Sequence, residues 1–421
     1  MANLISKTIF ILTLLYIPIA EAQEINSISL DSCYSLAKLN YPLIKQYQLI
    51  EQTNDLNIDN INRGILPRIQ FAGQASYQSD VTSVPDFEMA VPPISKDQYR
   101  IYGEISQPLT ELFINDKQKQ LAKAYTQIQK QNTEVTLYQL RDRVNQLYFG
   151  ILLAEQQLNQ IQLFKSDIEA GIAKVRSAVE NGVALRSELE LLQAELLQIN
   201  QKAISIQSNK ATFKKMLAQF TQLSVSDFDH LEKPVLPHFS NENNRPERLL
   251  YANQRDLNAI KQTMISDKSL PRFNLFFQGG YGRPALNMLD DNFKPYFITG
   301  IKLQWNVSSF YTTSREKQIL NLNQSELAVQ EENFLFNTQL NIEQQETEVG
   351  KLKKLIQTDQ EIIALRENIK NTSQSQLEYG VITASDYLQR VNEANRARQD
   401  LSYHEIQLMA VLYDNKTTTG N

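Results

Sequence analysis

Two copies of one short stretch decide the fold of this chain: LPRIQFAGQASY at 66–77 and LPRFNLFFQGGY at 270–281. The copies lie 204 positions apart. Further along the chain the offset is 198, and Glu180-Asn181-Gly182-Val183 matches Glu378-Tyr379-Gly380-Val381. The second copy therefore lacks six residues between Tyr281 and Phe297. So long a period indicates two copies of one structural unit, and the length difference falls in a loop, where it is tolerated.

Each copy predicts two short strands whose side chains alternate between apolar and polar. We expect strands at 69–78 and 99–108 in the first copy, and at 273–282 and 296–307 in the second. Their length, about 9–11 residues, is that of a tilted transmembrane strand. The residues expected to face lipid are Phe71, Tyr77, Phe277, Tyr281, Phe297, Leu303 and Trp305. A small soluble sheet with one buried face has the same alternation, so that alternative stays open.

Aromatic side chains are expected near the strand ends, where the girdle of a transmembrane barrel lies. They are Tyr77, Tyr99, Tyr281, Phe297 and Trp305.

Long helices follow the strands in both copies. Apolar residues in alternating steps of three and four predict helices at 114–180, 184–222 and 383–413. A less regular, mixed apolar pattern predicts the remaining helix at 314–378. Each pair forms an antiparallel hairpin that turns at a glycine, Gly182 or Gly380. Arg398 is one of the exceptions to the apolar pattern of the last helix.

A shorter helix precedes each strand pair, at 43–66 and 247–270, and ends at a proline. At 1.5 Å per residue the first long helix spans ~100 Å. Its return helix and one pre-strand helix together nearly match that length. We therefore predict that two shorter helices stack end to end beside each long one, with the polar stretch 223–245 as a bridge at mid-height.

The ends and the composition bound the class of protein. Residues 1–22 read as a secretory signal peptide, followed by a first repeat at 23–235 and a second at 236–421. The net charge of −5 and the absence of a basic block argue against a nucleic acid partner. The single cysteine permits no internal disulfide. No phosphate-binding glycine loop and no nucleophile elbow occur.

The histidines give little support for a metal site. His230 and His238 could share a metal, but no cluster of further ligands accompanies them in the sequence. We expect no enzyme activity, no cofactor and no bound metal.

The backbone hydrogen bonds of the strands bear on how many copies of the chain must assemble. Only helices and closed barrels span a bilayer, because each unpaired backbone group in hydrocarbon costs several kcal/mol. Four strands cannot close a barrel with a lumen. If the strands lie in a membrane, several copies of the chain must share one barrel, and the residues alone leave the number of copies open.

The order of these elements resembles the TolC-like outer membrane efflux protein family. The motifs that carry the resemblance are the Leu66-Pro67 and Leu270-Pro271 strand entries, Gln107-Pro108-Leu109-x-x-Leu112-Phe113, and Tyr379-Gly380-x-x-x-x-Ser385-Asp386-x-Leu388. The resemblance implies a mainly α fold with a small β part. Duplicated helical hairpins would form an α-barrel, and four strands per protomer would enter a twelve-stranded transmembrane barrel of a homotrimer.

The resemblance also implies a function and a place in the cell. The protein would be the passive exit duct of a tripartite efflux or type I secretion system, in the outer membrane with its helices in the periplasm. Its partners would be outer membrane lipid, a periplasmic adaptor (membrane fusion) protein and an inner-membrane RND, ABC or MFS transporter. The cargo stays open among drugs, metal ions and proteins. A periplasmic coiled-coil adaptor or scaffold without a pore is the alternative.

The hairpin tips are the expected working end. By resemblance, Gly182, Val183, Gly380 and Val381 lie where the family closes its entrance and meets the adaptor. Asp386 occupies the position of a gate-lining aspartate, and Glu188 is its counterpart in the first repeat. Gln389 stands where some relatives carry a second acidic ring. The competing interpretation is that Asp386 and Glu188 only stabilise helix starts.

Overall fold

The computed structural model of the protein describes residues 27–82 and 94–421. The predicted signal peptide at 1–22 lies outside these residues. In chain order the elements are α1 (Leu30–Asn40), α2 (Lys45–Arg63), β1 (Arg68–Tyr77), β2 (Asp97–Pro108), α3 (Glu111–Tyr138), α4 (Leu140–Glu180), α5 (Arg186–Thr221), α6 (Pro246–Asp267), β3 (Arg272–Arg283), β4 (Lys294–Gln304), α7 (Phe310–Glu378) and α8 (Ala384–Thr419). The predicted mainly α fold with a small sheet is confirmed.

The boundaries differ from the prediction at several elements. The helix predicted over 114–180 begins at Glu111 and is divided at Gln139, whose backbone N–H bonds to the carbonyls of both Leu137 and Val135. Its counterpart α7 is continuous. The last strand, predicted to reach residue 307, ends at Gln304. The last helix, predicted to end at 413, continues to Thr419.

The sequence did not predict α1. Ser29 caps it by accepting a hydrogen bond from the backbone N–H of Ser32. Its buried side chains, among them Cys33, join a core cluster with Tyr148 and Phe228 from distant parts of the chain. Burial raises the pKa of the Cys33 thiol to about 12, so this cysteine is a small core residue rather than a reactive thiol.

The predicted end-to-end stacking of short helices is present at two equivalent junctions. The side-chain amide of Asn40, the last residue of α1, donates to the carbonyl of Thr221 at 2.6 Å, where α5 ends. The backbone N–H of Asn244, just before α6, donates to the carbonyl of Thr419 at 2.6 Å, where α8 ends. Thus α2 continues α5, and α6 continues α8.

At both junctions the helix that ends, α5 or α8, is followed by a residue in the left-handed conformation. Gln222 follows α5 with φ 59°, and Gly420 follows α8 with φ 83°. Their N–H groups bond back to the carbonyls of Ala218 and Lys416. Glycine adopts this left-handed conformation at no steric cost, whereas for glutamine the same conformation has a steric cost. The two repeats therefore share one turn geometry but not one residue.

The hairpin of α4 and α5 and the hairpin of α7 and α8 are held together by the predicted apolar seams. Ile168 and Val175 of α4, Leu192 and Ile199 of α5, and Val391 of α8 are all buried in one cluster. Because α4 and α8 both contribute, this cluster joins the first hairpin to the second. The two repeats therefore pack side by side rather than folding apart.

The four strands form one antiparallel sheet in the order β1-β2-β3-β4. The register opposes Phe71 to Gly103, Tyr102 to Gly280, and Gly279 to Phe297. Among the residues that the structure describes, β1 and β4 each pair on one side only. The sheet therefore presents two open edges.

Candidate functional site

One face of the sheet is apolar and exposed. The cross-strand register places Ile69, Phe71, Ile101, Ile105, Phe273, Leu275, Phe277, Tyr281, Phe297, Ile301 and Leu303 on it. Phe71 is 82 % exposed and Ile301 65 %. So large an apolar surface on a folded chain marks an interaction with lipid or protein.

Glycines on this face make room for the aromatic rings. A Cβ atom at Gly103 would lie 3.1 Å from the ring of Phe71, so the ring rests on the bare backbone of β2. The rings of Phe277 and Phe297 stack with centroids 6.1 Å apart. Phe297 was expected near a strand end. It lies opposite Gly279 in the middle of the face, because β4 begins at Lys294.

Aromatic side chains form a band at each end of the strands. At the end farther from the helices, the ring of Phe293 stacks on those of Tyr99 and Tyr281, with centroids 6.2 and 5.8 Å away. Tyr77 lies at the same end and is 77 % exposed. At the helical end, Trp305 packs edge-on against Phe310.

Trp305 was expected inside the last strand. It follows β4 directly, and its indole N–H donates to the carbonyl of Ser269 at 2.9 Å, which ties it to the loop before β3. An aromatic ring with a satisfied polar atom suits a membrane interface.

The opposite face of the sheet is mainly polar. Gln70, Glu104 and Gln278 lie in one row across β1, β2 and β3, and Arg100 lies beside Gln74. Tyr102, which breaks the alternation in the sequence, belongs to this face and lies opposite Gly280. A sheet that is apolar on one side and polar on the other has the alternation of a barrel wall between lipid and water.

The two hairpin tips have the same turn. In the first, Val183 N–H bonds to the carbonyl of Ala178 at 2.9 Å, around Gly182 with φ 75°. In the second, Val381 N–H bonds to the carbonyl of Gln376 at 2.8 Å, around Gly380 with φ 68°. Both are Schellman turns, which need a left-handed residue at the glycine. The glycines therefore have a structural role, whether or not they touch a partner.

The tips expose apolar side chains. Val183 is 79 % exposed, Leu185 69 %, Tyr379 82 % and Val381 69 %. The two valines were among the site residues predicted from the sequence. Leu185 and Tyr379 were not predicted as site residues, although each lies within two positions of the turn.

The acidic residues of the two tips are held differently. The Asp386 carboxylate accepts from the backbone N–H and the hydroxyl of Thr383, at 3.1 and 2.7 Å, while Asp386 N–H donates to the Thr383 hydroxyl. These hydrogen bonds, first that from the hydroxyl, lower the pKa of Asp386. Asp386 therefore forms a capping box with Thr383 at the start of α8. Glu188 makes no such box, because α5 follows Leu185, which has no polar side chain.

Gln389 does not take part in the cap. Its amide donates to the carboxylate of Glu393 at 3.2 Å, one turn further along α8. The structure thus places Gln389 on the same helix as Asp386, with the carboxylate of Asp386 left exposed to solvent.

An ion cluster around the buried Lys370 joins the two hairpins above the tips. Lys370 of α7 donates to the carboxylate of Asp167 of α4 at 3.0 Å and pairs with Glu367 at 3.1 Å. Arg398 of α8 pairs with both carboxylates. Lys370 is only 7 % exposed. The sequence missed this cluster, and its one signal was Arg398 in an apolar position of the α8 heptad.

The described residues, 27–82 and 94–421, hold no group of three or more His, Cys, Asp or Glu side chains that could bind a metal ion. Over the same ranges, no helix combines the length and the apolar character that crossing a bilayer requires.

Comparison with known proteins identifies the fold through structure rather than sequence. Neither a protein-family model nor a curated protein matches this sequence. The solved structure of the outer membrane protein VceC from Vibrio cholerae matches with TM-score 0.67 at 12 % identity, covering 93 % of this chain and 96 % of VceC. The Campylobacter jejuni CmeC outer membrane channel matches with TM-score 0.65 at 13 % identity, covering 93 % and 85 %.

A third match, the open state of the Neisseria gonorrhoeae MtrE outer membrane channel, has TM-score 0.64 at 13 % identity and covers 93 % and 89 %. The chain therefore has the fold of outer membrane channel proteins. This confirms the fold that the resemblance to the TolC-like family implied.

Proposed function

We propose that this chain is the passive outer membrane exit channel of an export system and works as a homotrimer. The observation that carries the proposal is the four-stranded sheet, with an exposed apolar face, a polar face and two open edges. The fold shared with the outer membrane channels supports it.

Closure of the sheet argues for more than one copy. The edge strands β1 and β4 have 10 and 11 residues. Their outward backbone groups would each cost several kcal/mol in hydrocarbon if left unpaired. When copies are arranged in a ring, β4 of one pairs with β1 of the next, and every edge is removed.

The lumen argues for three copies rather than two. A barrel of eight strands has an interior just wide enough for side chains to fill. Two copies would therefore give a plugged barrel, since the polar face carries long side chains such as Arg68, Gln70 and Arg100. Three copies give twelve strands, the smallest ring of this chain with an open lumen.

The helices supply the rest of the duct in this proposal. Long apolar side chains remain exposed along them, including Leu197 and Ile204 on α5, each at least 66 % exposed, and Leu322 on α7 at 69 %. In a trimer these side chains face neighbouring copies and form an α-barrel in the periplasm. The signal peptide expected at 1–22 would direct the chain there.

In this proposal the hairpin tips are the docking site for a periplasmic adaptor. Val183, Leu185, Tyr379 and Val381 offer the adaptor an apolar end surface on each hairpin. An inner-membrane transporter of the RND, ABC or MFS class would supply the energy. In a trimer the Asp386 carboxylates would form a ring of three, able to attract cations at the entrance.

Two adjacent phenylalanines provide the test of the membrane assignment. Phe277 lies on the apolar face and Phe276 on the polar face of β3. Arginine on a lipid-facing position costs about 2–4 kcal/mol per copy near the midplane. We expect Phe277→Arg to block assembly in the outer membrane, whereas Phe276→Arg, the matched control, assembles.

The measurement is the amount of heat-modifiable trimer in outer membrane fractions. Equal assembly of the two variants would contradict the assigned outward face. Release of the unmodified protein by salt alone, without detergent, would favour the periplasmic scaffold instead.

A further inference from the structure

We propose that the polar face of the sheet is an anion-preferring lining set by Arg68, Arg100 and Lys302, so that the barrel favours acidic solutes carrying carboxylate, sulfate or phosphate groups. The proposal rests on the trimeric channel proposed above and adds a substrate class to it.

The charge count on this face is one-sided. The register places five cations on it: Arg68, Arg100, Arg272, Lys294 and Lys302. Arg272 is paired with Glu111 at 2.7 Å, and Lys294 with Asp290. The other three form no ion pair within residues 27–82 and 94–421. The one carboxylate that the four strands place on this face is Glu104.

The free cations lie at two heights. Lys302 lies opposite Asn274, and Arg68 opposite Ser106 in the next row, close to the helical end. In a closed ring β4 of one copy adjoins β1 of the next, so Lys302 and Arg68 both lie on the strands that form each seam between copies, near the helical end. Arg100 lies three rows farther, about 20 Å at 3.4 Å per residue.

The backbone makes room for Arg100 on this face. A Cβ atom at Gly282 would lie 3.1 Å from Cγ of Arg100 and 2.8 Å from the carbonyl oxygen of Tyr99. The aliphatic stem of Arg100 therefore lies against the bare backbone of β3 at Gly282. Arg68, Arg100 and Lys302 are all exposed.

The sign of the lining is opposite to that of the chain. Three free cations against one carboxylate leave two positive charges per copy and six in a trimer, although the whole chain carries −5. Charges of one sign around a lumen with low-dielectric walls raise the local concentration of the opposite ion by roughly tenfold or more. Rings of arginine and lysine are the usual basis of anion preference in pores.

The test uses inositol hexakisphosphate, a compact polyanion, as a channel blocker in planar bilayers. We expect block when it is added to the chamber facing the strand turns. In the variant R68Q/R100Q/K302Q the half-blocking concentration should rise by about tenfold or more. The charge-conserving variant R68K/R100K/K302R should keep the block, which separates charge from shape.

A second variant tests the same lining in the opposite direction. Glu104→Gln removes the opposing carboxylate and should lower the half-blocking concentration. Wild-type channels that conduct but are blocked no more strongly than R68Q/R100Q/K302Q would overturn the anion lining and leave the channel in place. Absence of any wild-type conductance would overturn the channel itself.

Discussion

The junction between α8 and α6 makes a sharp prediction about Gly420. A Cβ atom there would lie 2.4 Å from the backbone carbon of Asn244 and 2.5 Å from the backbone nitrogen of Arg245. Both are main-chain atoms and cannot rotate away. The same segment carries the 2.6 Å hydrogen bond from Asn244 N–H to the Thr419 carbonyl. Gly420→Ala must therefore separate the two stacked helices.

The expected cost of Gly420→Ala has two parts. A non-glycine residue at φ 83° costs about 1 kcal/mol, and a forced main-chain shift typically costs about 1–3 kcal/mol. At about 2.1 cal/mol/K of unfolding entropy per residue, a destabilisation of about 2–4 kcal/mol lowers the melting temperature of a chain of 421 residues by roughly 2–5 °C. Far-ultraviolet circular dichroism of the detergent-solubilised protein measures it, because most of the signal comes from the helices.

Gln222 is the matched control, since it holds the equivalent left-handed position after α5. Gln222→Gly removes the steric cost of the left-handed conformation, so it should raise the free energy of unfolding by up to about 1 kcal/mol and the melting temperature slightly. If Gly420→Ala melted with the unmodified protein, the packing of the α8 end against residues 244–245 would be refuted.

Three further predictions concern the helical portion. Lys370→Met removes the buried partner of Asp167 and should destabilise the hairpins by about 2–4 kcal/mol, as measured by urea unfolding. An unchanged urea midpoint would show that the cluster does not stabilise the fold. Asp386→Ala should alter cation block of single-channel current. Thr383→Ala removes the cap but keeps the carboxylate, so equal effects of the two would favour capping over gating. Burial raises the pKa of Asp414 from 3.8 to about 6, so its cost to folding grows as the pH rises from 3.8 to about 6 and is complete above that; Asp414→Asn should raise stability at pH 7.5 and leave it unchanged near pH 3.5.

Much of the fold was predictable because its signals are local and repeated. The faces of the strands follow from alternation, and the two tips follow from Gly182 and Gly380 in equivalent positions. Helix lengths alone predicted the end-to-end stacking that Asn40 and Asn244 now show in detail. These features depend on period and length, which a sequence displays directly.

Other features depend on contacts between distant residues and left little trace in the sequence. Helix α1 has 11 residues and is stabilised by packing on Tyr148 and Phe228, more than a hundred positions away. The ion cluster brings Asp167 to Lys370 across two repeats. Trp305 was assigned to the wrong element because its residue type suits a strand, whereas its hydrogen bond to Ser269 places it in the loop after β4. Capping of Asp386 was one of two open interpretations, and only its geometry with Thr383 shows that the cap forms.

The unequal helix starts at the two tips bear on symmetry. In the proposed trimer, three copies of the duplicated chain would place six hairpin ends around one axis, each with the Schellman turn seen at both tips of one copy. At three of them the return helix would start with the capping box of Thr383 and Asp386, and at the other three it would follow Leu185, which provides no side-chain cap. A docking ring with six identical subunits would thus meet two alternating kinds of surface. Such a ring must either tolerate both chemistries or bind in pairs, each pair spanning one copy of this chain.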